Sequence, residues 1–438
     1  MIAFRRGFAP LVVLAAFTIT LVFLRLTTNT ESWSQAVGLG DHYGGKQEET
    51  PIDSPDKNEQ TSAGEDGSAS TAEGRPEEQS EEQLVRPSVS LTSPPKPTFT
   101  PGQAKPAGHN YTKILVMPRT RQENVDWVQE ELPDLETAIY VANDASAPLH
   151  PPMNKGHEVM VYLTYVIDNY DSLPDIVMFM HAHRYAWHNN ELFNNDAVEM
   201  INRLSLERVQ REGYFNMRCH WAPGCPSWIH PGTLDRNQEK QEESMIAQSW
   251  SEIFPDEPVP LVLSQPCCSQ FAVSRERILM TPKVTYEFYR DWIIRTELSD
   301  YISGRVWEYL WQVIFTGNGT YCPSQSACYC DGYGLCFGGE RQFEDFYEIL
   351  LKKSNLERQL KDWQSKASKI DRLREQGMLD ESSDIEVPPA GQDVQLEYEI
   401  VSLERDLDLR IDQALERGKD PKARALEAGR VWKEGDGF

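Results

Sequence analysis

The sequence lacks the short motifs that mark common nucleotide-binding and hydrolytic folds. It has no glycine-rich phosphate-binding loop, no dinucleotide fingerprint and no nucleophile elbow. Basic residues are also scarce, because 43 Lys and Arg stand against 68 Asp and Glu, which gives a net charge of −25. So acidic a chain repels nucleic acid, which argues against nucleic acid as a partner. Covalent catalysis by a serine nucleophile has no support either.

Cysteine is absent from both ends of the chain. The eight cysteines are Cys219, Cys225, Cys267, Cys268, Cys322, Cys328, Cys330 and Cys336. An even, clustered set in a translocated chain indicates up to four disulfides. Zinc is the alternative, because Cys322, Cys328 and Cys330 have ligand-like spacing. Since Cys267 and Cys268 are adjacent, each is expected to pair with another cysteine elsewhere.

Only one long apolar run is present, and it lies near the N-terminus. Residues 7–26 contain a single charge, Arg25, and follow Arg5 and Arg6. This length suffices to cross a bilayer if Arg25 reaches the interface. A cleaved signal peptide is the alternative, but no small-x-small cleavage site follows. The arginines predict a cytosolic tail over 1–6 and a single-pass type II protein, in the Golgi or another secretory-pathway membrane.

Aromatic residues are scarce from residue 27 to 109, where Ser, Thr, Pro, Gly and Glu dominate. Such a composition cannot bury enough apolar surface to offset the entropy of ordering, so this stretch is predicted to be a disordered stem. Sequons at Asn110 and Asn318 permit N-glycosylation if the region after the stem is luminal.

Strands alternate with helices from residue 110 to 340. Apolar runs at 114–117, 138–142 and 176–180 predict buried strands, and helical spacing predicts a helix over 157–170. Further strands are expected at 214–217, 261–263 and 271–273, and further helices at 197–211, 284–295 and 305–315. This alternation predicts an α/β fold with a mainly parallel sheet covered by helices on both faces.

The C-terminal region, residues 341–438, follows a different pattern. Apolar residues at helical spacing predict two amphipathic helices around 356–370 and 396–411, with a break at 388–391. They indicate a helical hairpin packed on its own domain, or a coiled-coil contact with a helical partner.

Three of the nine histidines follow the predicted strand at 176–180. His181 and His183 are expected to share a face, and a loop could fold His188 back towards them. Three imidazoles so arranged can bind a divalent metal, Zn or Mn, and leave one position open. The alternative is a set of histidines that hydrogen-bond to a polar ligand or to one another.

Other polar groups are expected at the same edge of the sheet, where strands end and helices begin. The turn before the 157–170 helix offers free amides and a lysine, which favour a phosphate or diphosphate; a helix cap with a solvated lysine is the alternative. Asp144, at the end of the second strand, is the best-placed carboxylate. The candidate ligand-binding residues are Arg119, Arg121, Asn154, Lys155, Gly156, Arg184 and Trp187.

Several blocks, read together, resemble one family. They are NKGHEVMVYLTYVIDNYDSLPD, HAHRYAWHN, GYFNMRCHWAPGC, CCSQFAVSRERI and SGRVWEYLWQVIF with the trailing CYCDGYGLC. They closely resemble the fungal members of an uncharacterised family, the domain of unknown function 3431. The resemblance covers residues 113–337 and includes neither the stem nor the helical tail.

The layout of that family is similar to that of glycosyltransferases of the A type. The resemblance implies a luminal domain that transfers sugar from a nucleotide sugar to a glycan acceptor. His181 and His183 would take the place of the metal-binding acidic pair, although no D-x-D is present. Glu308 would lie on the acceptor side, and either Glu308 or Asp144 would be the base. Two alternatives are a non-catalytic carbohydrate-binding or scaffold module and a metal-dependent hydrolase.

Overall fold

The computed structural model describes residues 97–234, 237, 240–378, 386–434 and 436–438. The predicted cytosolic tail, the membrane anchor at 7–26 and the stem up to residue 96 lie outside these ranges. Among the helices within them, none combines the length and the apolar character that a membrane crossing requires.

Five strands form a single sheet. They are β1 (Lys113–Arg119), β2 (Glu136–Val141), β3 (Ile176–Phe179), β4 (Tyr214–Asn216) and β5 (Phe271–Ser274), in the order β2-β1-β3-β5-β4. β1 pairs in parallel with β2 and β3, whereas β5 is antiparallel to both β3 and β4. The predicted α/β class is confirmed, and four strands share one direction. The prediction of a mainly parallel sheet was wrong for β5. This strand begins at the edge of the sheet where β4 ends, and it therefore runs in the opposite direction.

Helices surround the sheet. They are α1 (Asp126–Glu131), α2 (Glu158–Asp168), α3 (Ala197–Arg203), α4 (Leu206–Glu212), α5 (Glu243–Ile253), α6 (Arg275–Leu279), α7 (Lys283–Arg295), α8 (Asp300–Glu308), α9 (Trp311–Thr316), α10 (Gln325–Tyr333), α11 (Glu340–Glu375), α12 (Gln392–Arg417) and α13 (Pro421–Glu427). A short 3₁₀ helix spans Glu191–Phe193.

Three local predictions were wrong in detail. The helix expected at 197–211 is broken between α3 and α4, where the Ser205 hydroxyl caps α4 by accepting from the Arg208 N–H. The helix expected at 305–315 is likewise divided between α8 and α9. The strand expected at 261–263 forms only an isolated bridge between Leu263 and Ile229.

Each face of the sheet supports its own apolar core. Alternate residues of β1 point to opposite faces of the sheet. Val116 therefore joins the first core, around α2, and Leu115 joins the second core, on the other face. All residues of α2 from Val159 to Ile167 are buried, between the sheet and α7. The almost entirely apolar sequence of this helix from Val159 to Ile167, with Thr164 as the exception, therefore reflects burial on all sides rather than one buried face.

The helical tail belongs to the second core. α11 packs along α12, and Phe343 of α11 and Leu407 of α12 lie in the same apolar cluster as Tyr329 of α10. The exposed outer face of α12 carries Val394 and Tyr398. The hairpin thus packs on its own domain, and a helical partner on the outer face stays a prediction.

Residues 97–112 form an entry strap along the amino edge of the sheet. The Gly102 N–H donates to the carbonyl of Arg211 at 2.7 Å, and Lys105 Nζ lies 2.7 Å from a carboxylate oxygen of Asp175. Phe438 reaches the same place, because its carbonyl accepts from the Arg211 guanidinium at 2.6 Å. The stem prediction was therefore wrong for residues 97–109, which Asp175 and Arg211 hold on the core.

All eight cysteines form disulfides. The pairs are Cys219–Cys328, Cys225–Cys322, Cys267–Cys268 and Cys330–Cys336. The predicted disulfides are confirmed, but the expectation that Cys267 and Cys268 each pair elsewhere was wrong, because these adjacent cysteines bond to each other. Cys322, Cys328 and Cys330 belong to three different pairs, so the zinc alternative based on their spacing is wrong.

Candidate functional site

The carboxyl edge of the sheet brings together the start of β5 and the loop that carries His181, His183 and His188 (residues 181–188, the histidine loop). β3 ends at Phe179, so the predicted alternation of a strand does not extend to His181 and His183. His181 is half-buried, and its Nε2 lies 2.7 Å from the carbonyl oxygen of Cys268. A carbonyl only accepts, so Nε2 carries a proton and, in the neutral ring, the lone pair is on Nδ1. His183 is exposed instead, with Nε2 3.5 Å from Glu123 Oε1.

His188 folds back as expected, and its ring centroid lies 4.8 Å from that of His181. Burial, with a smaller contribution from His181, lowers the pKa of His188 to about 2. The imidazole is therefore neutral at physiological pH, and its buried Nδ1 has no hydrogen-bond partner among the described residues.

The positions of His181, His183 and His188 meet the requirements of a metal site only in part. A catalytic zinc takes three protein ligands, but within the described ranges the ring nitrogens of all three histidines do not meet within 4.8 Å. His181 and His188 offer two donors, and His183 faces Glu123.

Glu308 ends α8 and points into the same edge. Its Oε1 accepts from the N–H of Cys268 at 2.7 Å. Burial raises the pKa of the Glu308 carboxyl to about 7; the negative charge of Glu158 acts in the same direction, and Arg305 opposes it. A carboxyl that titrates near neutral pH can both accept and donate a proton, which is the property of a general acid–base group.

One residue connects these two groups. The N–H of Cys268 donates to Glu308, and its carbonyl accepts from His181. Cys268 and Ser269 have φ values of +85° and +49°, in a region that non-glycine residues seldom adopt. The sequence predicted Cys268 only as a disulfide cysteine and gave it no role at this site, although the adjacent cysteines were a visible signal.

Two buried amides hold the histidine loop from below. Gln270 Nε2 donates to Asn189 Oδ1 at 2.9 Å, and Gln270 Oε1 accepts from the N–H of His181 at 3.3 Å. Asn189 in turn donates to the carbonyls of Arg184 and Asn195. The sequence does not indicate this role, because Gln270 and Asn189 come within hydrogen-bonding distance of each other only once β3 and β5 pair.

Asp144 lies in a tight turn after β2. It accepts from both the N–H and the hydroxyl of Ser146, at 3.0 and 2.6 Å, and pairs with Arg121 at 3.0 Å. The hydrogen bonds from Ser146 lower the pKa of Asp144, with a smaller contribution from Arg121. A weaker base results, so Glu308 is the better candidate of the two predicted bases.

The predicted cationic ligands already have protein partners. Arg184 pairs with Asp196 at 3.1 Å and with Glu131 at 2.7 Å. Lys155 donates to the carbonyl of Thr296 at the end of α7. Each would have to exchange a protein partner to bind a phosphate.

The remaining predicted ligands serve the local backbone or face solvent. Arg119 donates to the Glu123 carbonyl at 3.1 Å, and Asn154 is exposed. Gly156 has φ +76°, and a Cβ there would lie 2.8 Å from Ile293, so both the turn and the close approach of α7 require glycine. Trp187 is 44% exposed.

Residues 115–331 match a family model described as protein of unknown function (DUF3431). The matched range contains the histidine loop, the paired cysteines and Glu308, and it supports the assignment of the α/β core to this family. No curated protein and no solved structure matches the chain.

Proposed function

We propose that this core, assigned to the DUF3431 family, catalyses glycosyl transfer on the luminal side of a secretory-pathway membrane, with Glu308 as the base. The donor would be a nucleotide sugar and the acceptor a hydroxyl of a glycan or glycoprotein. Residues 7–26 would anchor the chain in the type II orientation.

The pKa of Glu308, raised to about 7, carries this proposal. Transfer to a hydroxyl requires removal of its proton as the glycosidic bond forms, and a base of near-neutral pKa suits that task. Ligands of open α/β sheets bind beyond the carboxyl ends of the strands, which is where Glu308 lies. The resemblance to A-type glycosyltransferases assigns the same segment to the acceptor side.

The histidines would serve the donor. The neutral His188 and the Nδ1 of His181 are suited to contact a diphosphate, directly or with a divalent Mn or Zn ion. The proton transfer to Glu308 needs no metal. Oxidative formation of all four disulfides agrees with a luminal location.

A carbohydrate-binding module without catalysis is the second candidate. Tyr185 is 61% exposed and Trp187 44% exposed beside the histidines, and such rings present apolar faces with polar edges, which suit a sugar ring. Arg184 and Lys155 also have partners within the protein already, so fewer cations are available to bind a diphosphate.

Thermal unfolding of the full chain against a panel of nucleotide sugars, with Mn²⁺ and with EDTA, tests the proposal. A ligand that binds only the folded state raises the melting temperature, so we expect one donor to do so. Glu308→Gln should keep that shift yet lower turnover by about 10²-fold or more, because it removes only the base.

Two results separate the candidates. A shift with free glycans but no turnover of any donor would favour the binding module. A well-folded chain that responds to neither donors nor glycans would contradict both.

A further inference from the structure

The bonded pair Cys267–Cys268 lies at the point where the two candidate functional groups meet. The N–H of Cys268 holds Glu308, and the carbonyl of the same residue holds His181. A change in φ at Cys268 turns its N–H and its carbonyl relative to each other, so both hydrogen bonds depend on the backbone conformation of this one residue.

The disulfide closes a small covalent ring around the peptide bond between the two cysteines. Cys268 and the following Ser269 have φ values of +85° and +49°, a conformation that non-glycine residues keep only when their surroundings impose it. Opening the ring removes one such constraint. Cys268 can then return towards negative φ, which turns its N–H and its carbonyl relative to each other, so that the hydrogen bonds with Glu308 and His181 are no longer both kept.

This disulfide contributes little to global stability. It joins neighbours in sequence, whereas Cys219–Cys328 and Cys225–Cys322 close separations of 109 and 97 residues. A crosslink restricts the unfolded chain in proportion to the logarithm of the loop it closes, so an adjacent pair restricts it least. Its effect is local to the site.

One residue of the pair is accessible to solvent. Cys268 is half-buried, whereas Cys267 is 1% exposed, and the Cys219–Cys328 and Cys330–Cys336 pairs are buried. Cys225 and Cys322 are also half-buried, which makes their disulfide the matched comparison.

We propose that Cys267–Cys268 is a reducible positioning element of the candidate site: the closed disulfide holds Glu308 and His181 in place, and its reduction by a dithiol releases both. A thiolate of the dithiol attacks the sulfur of Cys268, the S–S bond breaks, and Cys267 leaves as a thiolate that takes up a proton. The second thiol of the reductant then displaces Cys268 as a thiol. Two electrons pass to the protein, and the reductant becomes a cyclic disulfide.

The first test exposes the folded full-length chain to graded ratios of reduced to oxidised dithiothreitol. Alkylation and mass spectrometry report the state of each disulfide, and hydrogen exchange reports the amide of Cys268. We expect Cys267–Cys268 to open while the buried Cys219–Cys328 and Cys330–Cys336 pairs stay closed, with exchange at that amide faster by about tenfold or more and with the melting temperature nearly unchanged. Reduction of this pair only together with global unfolding would overturn the proposal.

The second test uses variants that need no reductant. Cys267→Ser with Cys268→Ser should reproduce the faster exchange in an otherwise folded chain, and Cys225→Ser with Cys322→Ser should leave the Cys268 amide protected. Equal protection in the first double variant and the wild type would contradict the positioning role.

The inference uses the site of the proposed function, but its readouts are independent of any substrate. Faster exchange without nucleotide-sugar binding would leave the positioning role intact and refute glycosyl transfer. Conversely, a Cys267→Ser, Cys268→Ser variant that keeps both the turnover and the amide exchange of the wild type would refute the positioning role and leave glycosyl transfer intact.

Discussion

At the scale of single residues, the Glu308 carboxyl makes stability depend on pH. Its folded pKa, about 7, lies above the ordinary value of 4.5, because burial disfavours the charged form. Its contribution to stability is thus complete below pH 4.5 and is lost as the pH rises through about 7.

Glu308→Gln should remove this dependence, because glutamine can still accept from the Cys268 N–H but does not ionise. Relative to the wild type, the variant should gain about 3 kcal/mol in free energy of unfolding between pH 4 and pH 8. Urea denaturation across that range measures the difference. The exposed Glu297→Gln is the control, and a constant difference for Glu308→Gln would refute the assigned environment.

Asp331 is the opposite kind of buried carboxylate. Its side chain is 1% exposed and lies 2.9 Å from Arg211 and 2.7 Å from Arg430. Burial alone would raise the pKa of Asp331, but Arg208, Arg211 and Arg430 lower it overall. Its stabilisation is therefore present above the ordinary pKa of an aspartate and is lost only as the pH falls through the lowered value.

Asp331→Asn should lower the free energy of unfolding by about 3–5 kcal/mol at pH 7, because it leaves buried arginines without their counter-charge. Chemical denaturation of the variant beside the wild type measures this loss. A change below 1 kcal/mol, on the order of an exposed ion pair, would show that the cluster adds little.

At the scale of elements, α12 provides a matched pair of leucines. Leu407 is 6% exposed and belongs to the second core, whereas Leu409 is 55% exposed. Leu407→Ala should lower the free energy of unfolding by about 2–5 kcal/mol, and Leu409→Ala should change it by about 0.5 kcal/mol or less. Similar losses for both, measured by denaturant unfolding, would mean that the hairpin does not pack as described.

The elements buried on all sides were the most predictable from sequence. The apolar runs of β3 and α2 need no knowledge of their neighbours, since every residue in them meets protein. The direction of β5 was not predictable, because it depends on the path of residues 217–270 and no local pattern encodes that path. The two hydrogen bonds of Cys268, donated to Glu308 and accepted from His181, could not be predicted for the same reason.

At the scale of the whole molecule, the disulfides differ in their expected effect. Replacing Cys219 and Cys328 by alanine should lower the free energy of unfolding by about 3 kcal/mol, because with Cys225–Cys322 intact this bond closes a loop of only about 14 residues, 219–225 and 322–328. The same change at Cys267 and Cys268 should cost only about 1 kcal/mol. Equilibrium unfolding of both double variants compares them, and equal losses would contradict the loop-length argument.

The proposed luminal location has its own test at this scale. Asn110 and Asn318 are both exposed, so the sequons are accessible if the domain enters the secretory pathway. We expect an endoglycosidase to lower the apparent mass of the full chain, and Asn110→Gln with Asn318→Gln to abolish that change. Unmodified asparagines at both sites in chain made in a eukaryotic cell would argue against the type II orientation.

The entry strap and the last residues both lie at the amino edge of the sheet, where Arg211 contacts Gly102 and Phe438. The candidate site lies beyond the opposite ends of the strands, on the far side of the domain. If the protein is attached to a sensor surface through either of these two segments, the histidine loop and Glu308 therefore face the ligand solution. Ligand screening by immobilisation can thus use a tag at the C-terminus without covering the site.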